Sequence, residues 1–380
     1  MIPREFQLLL YCARSRPDAQ SIRELVTQDV NWQALMQLAR QHYVRPLLFQ
    51  SLKTVCWDAV PEAIKLELEQ FNWTNVQKNL VFAGELLRFF RLFQQNHIPM
   101  ATFKGPILAV SVYGDIALRE FSDLDILIKE TDLRKAEGIL TACGYRADFP
   151  DEDYRSAFVS YLGQYAFRQS KTGIAIDLHW RLSSKSMMFP ITSTEVWPRL
   201  REVPIGSRTV PTLAHDDLAL YLAAHGTKEG WRSLGWVCDF AEVLRNCHDV
   251  NWAAILERAQ RSCSSRMLLL AVFLASTLLE APAPAHLVDK ARSSSPVRAL
   301  ARKVQLRMLH PDTQGEDWKF LNGLSLHDRF WRRLRPIATL LTTRTVGDYQ
   351  AMPLPKSLWN IYYFTRPFRL ANKAVQRMVL

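Results

Sequence analysis

Residues 98–129 read IPMATFKGPILAVSVYGDIALREFSDLDILIK, and the fold turns on the last eight of them, Ser122 to Lys129. Alternate residues of a β-strand project to one face. Asp123 and Asp125 therefore stand side by side while Leu124 turns into a core, and Ile126, Leu127 and Ile128 continue an apolar run of buried-strand length. Hard oxygen donors held at that separation suit Mg²⁺, which takes one or two protein carboxylates and leaves its other positions to water and substrate phosphates.

A third carboxylate lies about fifty positions on, where Gly173 to Trp180 read GIAIDLHW and place Asp177 inside a second apolar run, on a neighbouring strand. A D-x-D pair alone is often only a solvated strand end. With Asp177 added, the set matches phosphoryl or nucleotidyl transfer on two metals, in which two carboxylates bridge the ions and the third activates the attacking hydroxyl. Lys104 and Arg119 supply charge for a triphosphate. Ser122 either hydrogen-bonds a phosphate or caps the strand. His179 shares the face of Asp177, where it either positions substrate or hydrogen-bonds a carboxylate.

The runs FKGPILA, YGDIALREFSDLDILI, GYR and IDLHW, with the later LAAHGTKEGWRSLGWVCDFAEVL, NWAAILERA and LPKSLWNIYYFTRPFRL, cover most of the chain. Together they resemble the bacterial family of uncharacterised nucleotidyltransferases within the DNA polymerase β-like superfamily. The resemblance implies a small mixed sheet flanked by helices, an α+β fold. It also implies Asp123, Asp125 and Asp177 as Mg²⁺ ligands and catalytic carboxylates, two ions, and an NTP such as ATP held by a loop at Lys104-Gly105. The superfamily's Gly-Gly or Gly-Ser pair is Gly105-Pro106 here, eighteen positions before Asp123.

Outward from this core, residues 1–95 read as helices, with Asn72, Trp73 and Asn75 either facing the cleft or standing on the helix surface, as such residues more often do. The nucleotidyltransferase core is expected over 96–212, with a hairpin at VPIGSRTVP turning at Gly206-Ser207. A helical domain closing the cleft follows over 213–290. His225 and Lys228, three apart, share a helical face there. Asp239 falls in the apolar LGWVCDFAEVL, and a buried carboxylate needs a partner; the simplest is His225 or Lys228. These residues are either an interhelical tie or the acceptor wall of the cleft.

Residues 291–380 carry the charge. From Ala291 onward there are sixteen Lys and Arg against five Asp and Glu, whereas the preceding residues balance at thirty-two each, so the net +11 sits in the last quarter. Arginines alternate with aromatics in HDRFWRRLR and YYFTRPFR, which is either a surface that attracts an anionic partner such as membrane headgroups, nucleic acid or an acidic polymer, or a solvated basic face with its arginine stems packed on the protein. The final segment is amphipathic and either lies in a membrane interface, with Trp359, Tyr362 and Tyr363 at headgroup depth, or packs on its own domain.

With 48% hydrophobic and 22% charged residues the chain can bury a sizeable core, which excludes a disordered protein. No apolar run reaches the roughly twenty residues of a membrane span, and the start lacks a signal-peptide pattern. The six scattered cysteines form no C-x-x-C pair, which suits a reduced compartment. The expected location is cytoplasmic, either free or peripheral at the inner membrane face. The leading expectation is an Mg²⁺-dependent nucleotidyltransferase acting on an unidentified acceptor. Two alternatives stand beside it: a catalytically silent binding module of the same fold at a membrane surface or partner protein, and a D-x-D glycosyltransferase. The last needs more β-α units before the D-x-D than this chain has.

Overall fold

The computed structural model describes residues 2–147, 155, 156, 159, 162–183, 190–309 and 346–379. Four short helices open the chain, α1 (Arg4–Cys12), α2 (Ala19–Val26), α3 (Trp32–Gln41) and α4 (Arg45–Val55), followed by the long α5 (Glu62–Gln95). The α+β core then runs β1 (Met100–Thr102), α6 (Gly105–Leu108) with a π turn to Tyr113, β2 (Asp123–Ile128), α7 (Leu133–Ala142), β3 (Tyr145–Ala147), β4 (Gln164–Gln169) and β5 (Ala175–His179). The short α8 (Ser193–Val196) leads into the hairpin β6 (Arg201–Ile205) and β7 (Arg208–Thr212), with Gly206 at φ +57° in the turn as expected. A second helical body follows as α9 (His215–Lys228), α10 (Leu234–Asn246), α11 (Trp252–Arg261), α12 (Ser265–Leu278), α13 (Ala285–Ser293) and α14 (Ser295–Leu309). Beyond it stand α15 (Val346–Ala351) and α16 (Tyr362–Val379). The run HDRFWRRLR lies outside the described residues.

The five-stranded sheet has the order β1-β2-β5-β4-β3, with β2 and β5 parallel and every other pair antiparallel. Its two faces are chemically different because its strands alternate. Leu124, Ile126 and Ile128 of β2, Ile176 and Leu178 of β5, and Tyr165 and Phe167 of β4 join one core with the second half of α5, α7 and the hairpin. The other face brings Ala101, Phe103 and Leu127 into a larger core, which α1–α4 share with α9–α14. Side chains at Asp123, Asp125, Asp177, His179 and Gln164 fall on this second face. The carboxylates therefore sit where the sheet meets the shared helical body.

His42, at the end of α3, ties that body together. Its Nδ1 accepts the Leu234 N–H at 3.2 Å and its Nε2 faces the Met308 carbonyl at 3.2 Å, which sets the tautomer with the proton on Nε2. Burial pushes the imidazole down from the ordinary 6.5 to about 4. Between those values the unfolded chain takes up a proton that the folded chain refuses. Stability present above pH 6.5 is therefore lost as the pH falls toward 4, by about 3 kcal/mol from this group. Urea titrations across pH 7 to 4 are expected to show that fall, with a shallower slope in His42→Gln.

Candidate functional site

The parallel pairing of β2 with β5 sets Asp125 opposite Asp177 and Leu127 opposite His179. His179 Nε2 lies 3.0 Å from Asp125 Oδ1, and Lys104 Nζ lies 3.0 Å from the same oxygen. Gln164, on the strand beyond, donates to Asp177 Oδ2 at 2.8 Å. Burial raises the Asp125 carboxyl, but the Lys104 ammonium and the His179 hydrogen bond outweigh it and hold it well below the usual carboxylate range. Its neighbours are pushed the other way. Burial and then repulsion from Asp125 carry Asp123 up to about 6. Burial, with the Asp125 charge adding to it, raises Asp177.

Gly105 turns the chain from β1 into α6 at φ +57°, and a Cβ there would stand 3.2 Å from the Asp123 carbonyl oxygen. Gly114, at φ +76°, has open space where a Cβ would go. Both positions disfavour L side chains, but only Gly105 also admits the close approach of β2. Gly105→Ala is expected to lose about 1–3 kcal/mol and Gly114→Ala less, compared by urea denaturation.

The loop from Gly114 to Ser122, which delivers the chain to the D-x-D strand, is held from three sides. Asn75 donates to the Ala117 and Arg119 carbonyls, and Asn79 to those of Ile116 and Arg119. Arg45, at the start of α4, grips Glu120 with its guanidinium at 3.2 and 2.6 Å and with its backbone N–H at 3.1 Å. Arg119 reaches α10, where Nε and Nη2 donate to the two oxygens of Asp239 at 2.8 and 2.9 Å, and the Tyr113 hydroxyl donates to Asp239 Oδ1 at 2.8 Å. Asp239 is thus partnered by Arg119 and Tyr113 and not by His225 or Lys228: a bidentate guanidinium matches a carboxylate better than one imidazole or ammonium. Of the two readings open for Asn75 in the sequence, the helix surface does not hold, since it is buried. Its repeat at Asn79, one turn on, was the available signal. Arg119 Nη1 is buried without a hydrogen-bond partner.

A cavity of about 1160 Å³ opens over the carboxylates. Asp123, Asp125, Asp177, Lys104, Gly105, Arg119 and Ser122 all line it, as do His225, Lys228 and Asp239 from the helical body. His179 lies behind Asp125, buried. His225 stacks on Tyr221 with centroids 5.6 Å apart and meets Trp236 edge-on at 5.9 Å. Burial, with Lys104 and Lys228 adding to it, keeps the His225 imidazole well below its ordinary value, so it is neutral. Tyr221, Gln164 and Lys78 also line the cavity and carried no sequence signal, since each reaches the site only through tertiary packing.

The donor atoms of Asp125, Asp177 and His179 lie within 4.8 Å of one another, and His179 Nδ1 is buried without a partner. Asp123 stands outside that tightest group, one alternation up the strand. A buried and a half-buried carboxylate facing each other, the second raised by burial and by the charge of the first, are a donor set that a cation fits. Residues 28–280, about two thirds of the chain, match the family described as uncharacterised nucleotidyltransferase. The chain belongs to this family. No curated protein and no solved structure matches it. The family match spans both walls of the cavity, from α3 through the sheet to α12, so every carboxylate and basic group described above falls within the nucleotidyltransferase region.

Proposed function

We propose that the protein is an Mg²⁺-dependent nucleotidyltransferase that moves an NMP group from an NTP to a hydroxyl or phosphate acceptor. The observation that carries this is the juxtaposition of Asp125 and Asp177 across parallel strands, at the floor of a large cavity with basic side chains on its walls. Asp125 and Asp177, with Asp123 above them, would hold the metal, which when bound neutralises phosphate charge and draws electrons from the reacting phosphorus. Lys104 and the partnerless Nη1 of Arg119 offer fixed positive charge to the triphosphate. Asp177, its proton affinity raised by burial, takes the proton of the acceptor hydroxyl as that oxygen bonds to the α-phosphorus and pyrophosphate leaves. Such catalysis is mainly positioning and charge neutralisation, and the triple clamp on the 114–122 loop supplies the first.

Calorimetric titration of the four NTPs with Mg²⁺ tests the proposal. Metal-dependent binding of at least one NTP, abolished by Asp177→Asn, is the expected result; no binding to the folded protein in the presence of Mg²⁺ would overturn it. One observation favours a second reading, a silent binding module. The Lys104 ammonium already neutralises Asp125, as an internal cation would. That reading expects NTP or partner binding that Mg²⁺ leaves unchanged.

A further inference from the structure

Residues 346–379 lie beyond the family match, and among the described residues their buried side chains form a cluster separate from the two larger cores. Tyr349, Trp359 and Tyr362 pack together with Met352 and Leu354 against them. Trp359 Nε1 donates to the Leu354 carbonyl at 2.9 Å, and the Tyr362 hydroxyl to that of Met352 at 2.7 Å. Trp359 and Tyr362 therefore face inward and are not the headgroup-level residues the sequence pattern suggested. Their helical neighbours at the same spacing, Arg366 and Arg369, turn to the same side, and both pair with the buried Asp348.

A second stripe is left facing out. Leu358 and Ile361 occupy eclipsed positions of a 3₁₀ turn (Lys356–Ile361), and Phe364 and Phe368 continue that line along α16. All four are exposed, the two phenylalanines at 76% and 78%. Large apolar side chains aligned in this way and uncovered mark an interaction surface.

The charge around the stripe selects its partner. From residue 346 on, the chain has five basic residues, Lys356, Arg366, Arg369, Lys373 and Arg377, and one acidic residue, Asp348. Asp348 is paired with Arg366 and Arg369, and Arg366 is buried with it, so five basic residues against one acidic leave the segment net positive by sequence, with that excess carried mainly by the other basic residues. A second copy carries the same charge and is repelled. Nucleic acid would use the phenylalanines as stacking platforms but has no place for the branched aliphatic Leu358 and Ile361. An anionic lipid surface accommodates both features, taking the apolar line into the acyl boundary and the basic groups among the headgroups. Among the described residues no helix is long and apolar enough to cross a membrane, so contact would be peripheral.

We propose that the outward stripe Leu358, Ile361, Phe364 and Phe368 docks the protein on an anionic lipid membrane. The test is co-sedimentation of the full chain with vesicles of phosphatidylcholine and phosphatidylglycerol at 3:1 and with phosphatidylcholine alone. A single-stranded oligonucleotide and size-exclusion chromatography serve as competing probes. Binding to the anionic vesicles is expected, at least tenfold weaker for the double variant Phe364→Ser/Phe368→Ser and weaker at 0.5 M salt. Both side chains are exposed, so the variant should keep the wild-type melting temperature, which is checked in parallel. No vesicle binding, equal binding by the variant, a preference for the oligonucleotide, or a dimer that the variant dissolves would each overturn the proposal.

Discussion

Asp177→Asn is expected to reduce transfer by about 10³-fold, the range for loss of a catalytic base, while leaving the metal-free protein as stable as the wild type or slightly more so. The reason lies in how the two central carboxylates are loaded. Asp177 receives one neutral hydrogen bond, from Gln164, and its charge is disfavoured by burial and by Asp125. An amide oxygen keeps the bond and removes the repulsion. Asp125 is different, because it neutralises the mostly buried Lys104 and takes the His179 bond. Asp125→Asn would strand that ammonium at a cost of about 3–5 kcal/mol, so lost activity there would be confounded with lost stability. A site whose residue lowers stability yet is needed for turnover is the signature of function held against folding. The matching measurement is thermal unfolding with and without Mg²⁺. A ligand at a hundredfold excess over its Kd stabilises by about 2.7 kcal/mol, and the shift expected for the wild type should vanish in Asp177→Asn. An equal shift in both proteins would remove Asp177 from the metal site.

The sheet was legible because its period is local. D-L-D-I-L-I and I-D-L-H each state which residues face the core, and the structure pairs Asp125 directly with Asp177. Gly206 and the hairpin were legible for the same reason, since the turn chemistry lies in four adjacent residues. The ties across the cleft were not. Arg119 and Asp239 are 120 positions apart, and sequence proximity pointed to His225 and Lys228 on the adjoining helix. Nothing in either stretch encodes how α10 is rotated against the 114–122 loop; that follows from the packing of the shared helical core. The same holds for the C-terminal segment, where helical spacing alone could not say which of two aromatic faces, Trp359 and Tyr362 or Phe364 and Phe368, would turn inward.

Asp239→Ala is expected to destabilise the protein by about 3–5 kcal/mol, the cost of leaving a buried charge without its partner, and to impair the cleft as well. Three donors converge on that carboxylate, two from Arg119 and one from the Tyr113 hydroxyl, and Asp239 more than offsets the effect of burial in keeping the Arg119 guanidinium charged. Truncation would leave Arg119 inside with nothing to neutralise it, and the loop ahead of β2 would rely on Asn75, Asn79 and Arg45 alone. A paired variant separates the two roles. Arg119→Met with Asp239→Leu, made in a Tyr113→Phe background so that no hydroxyl is left without its acceptor, replaces the ion pair by apolar groups of similar size, an exchange that is often near neutral for stability. Urea denaturation should therefore show the double variant recovering most of what Asp239→Ala loses. Nucleotide binding should stay weak in both, because the double variant no longer offers the guanidinium to a triphosphate. Recovery of binding together with stability would reduce Arg119 to a structural strut and leave Lys104 as the charge that meets the phosphates.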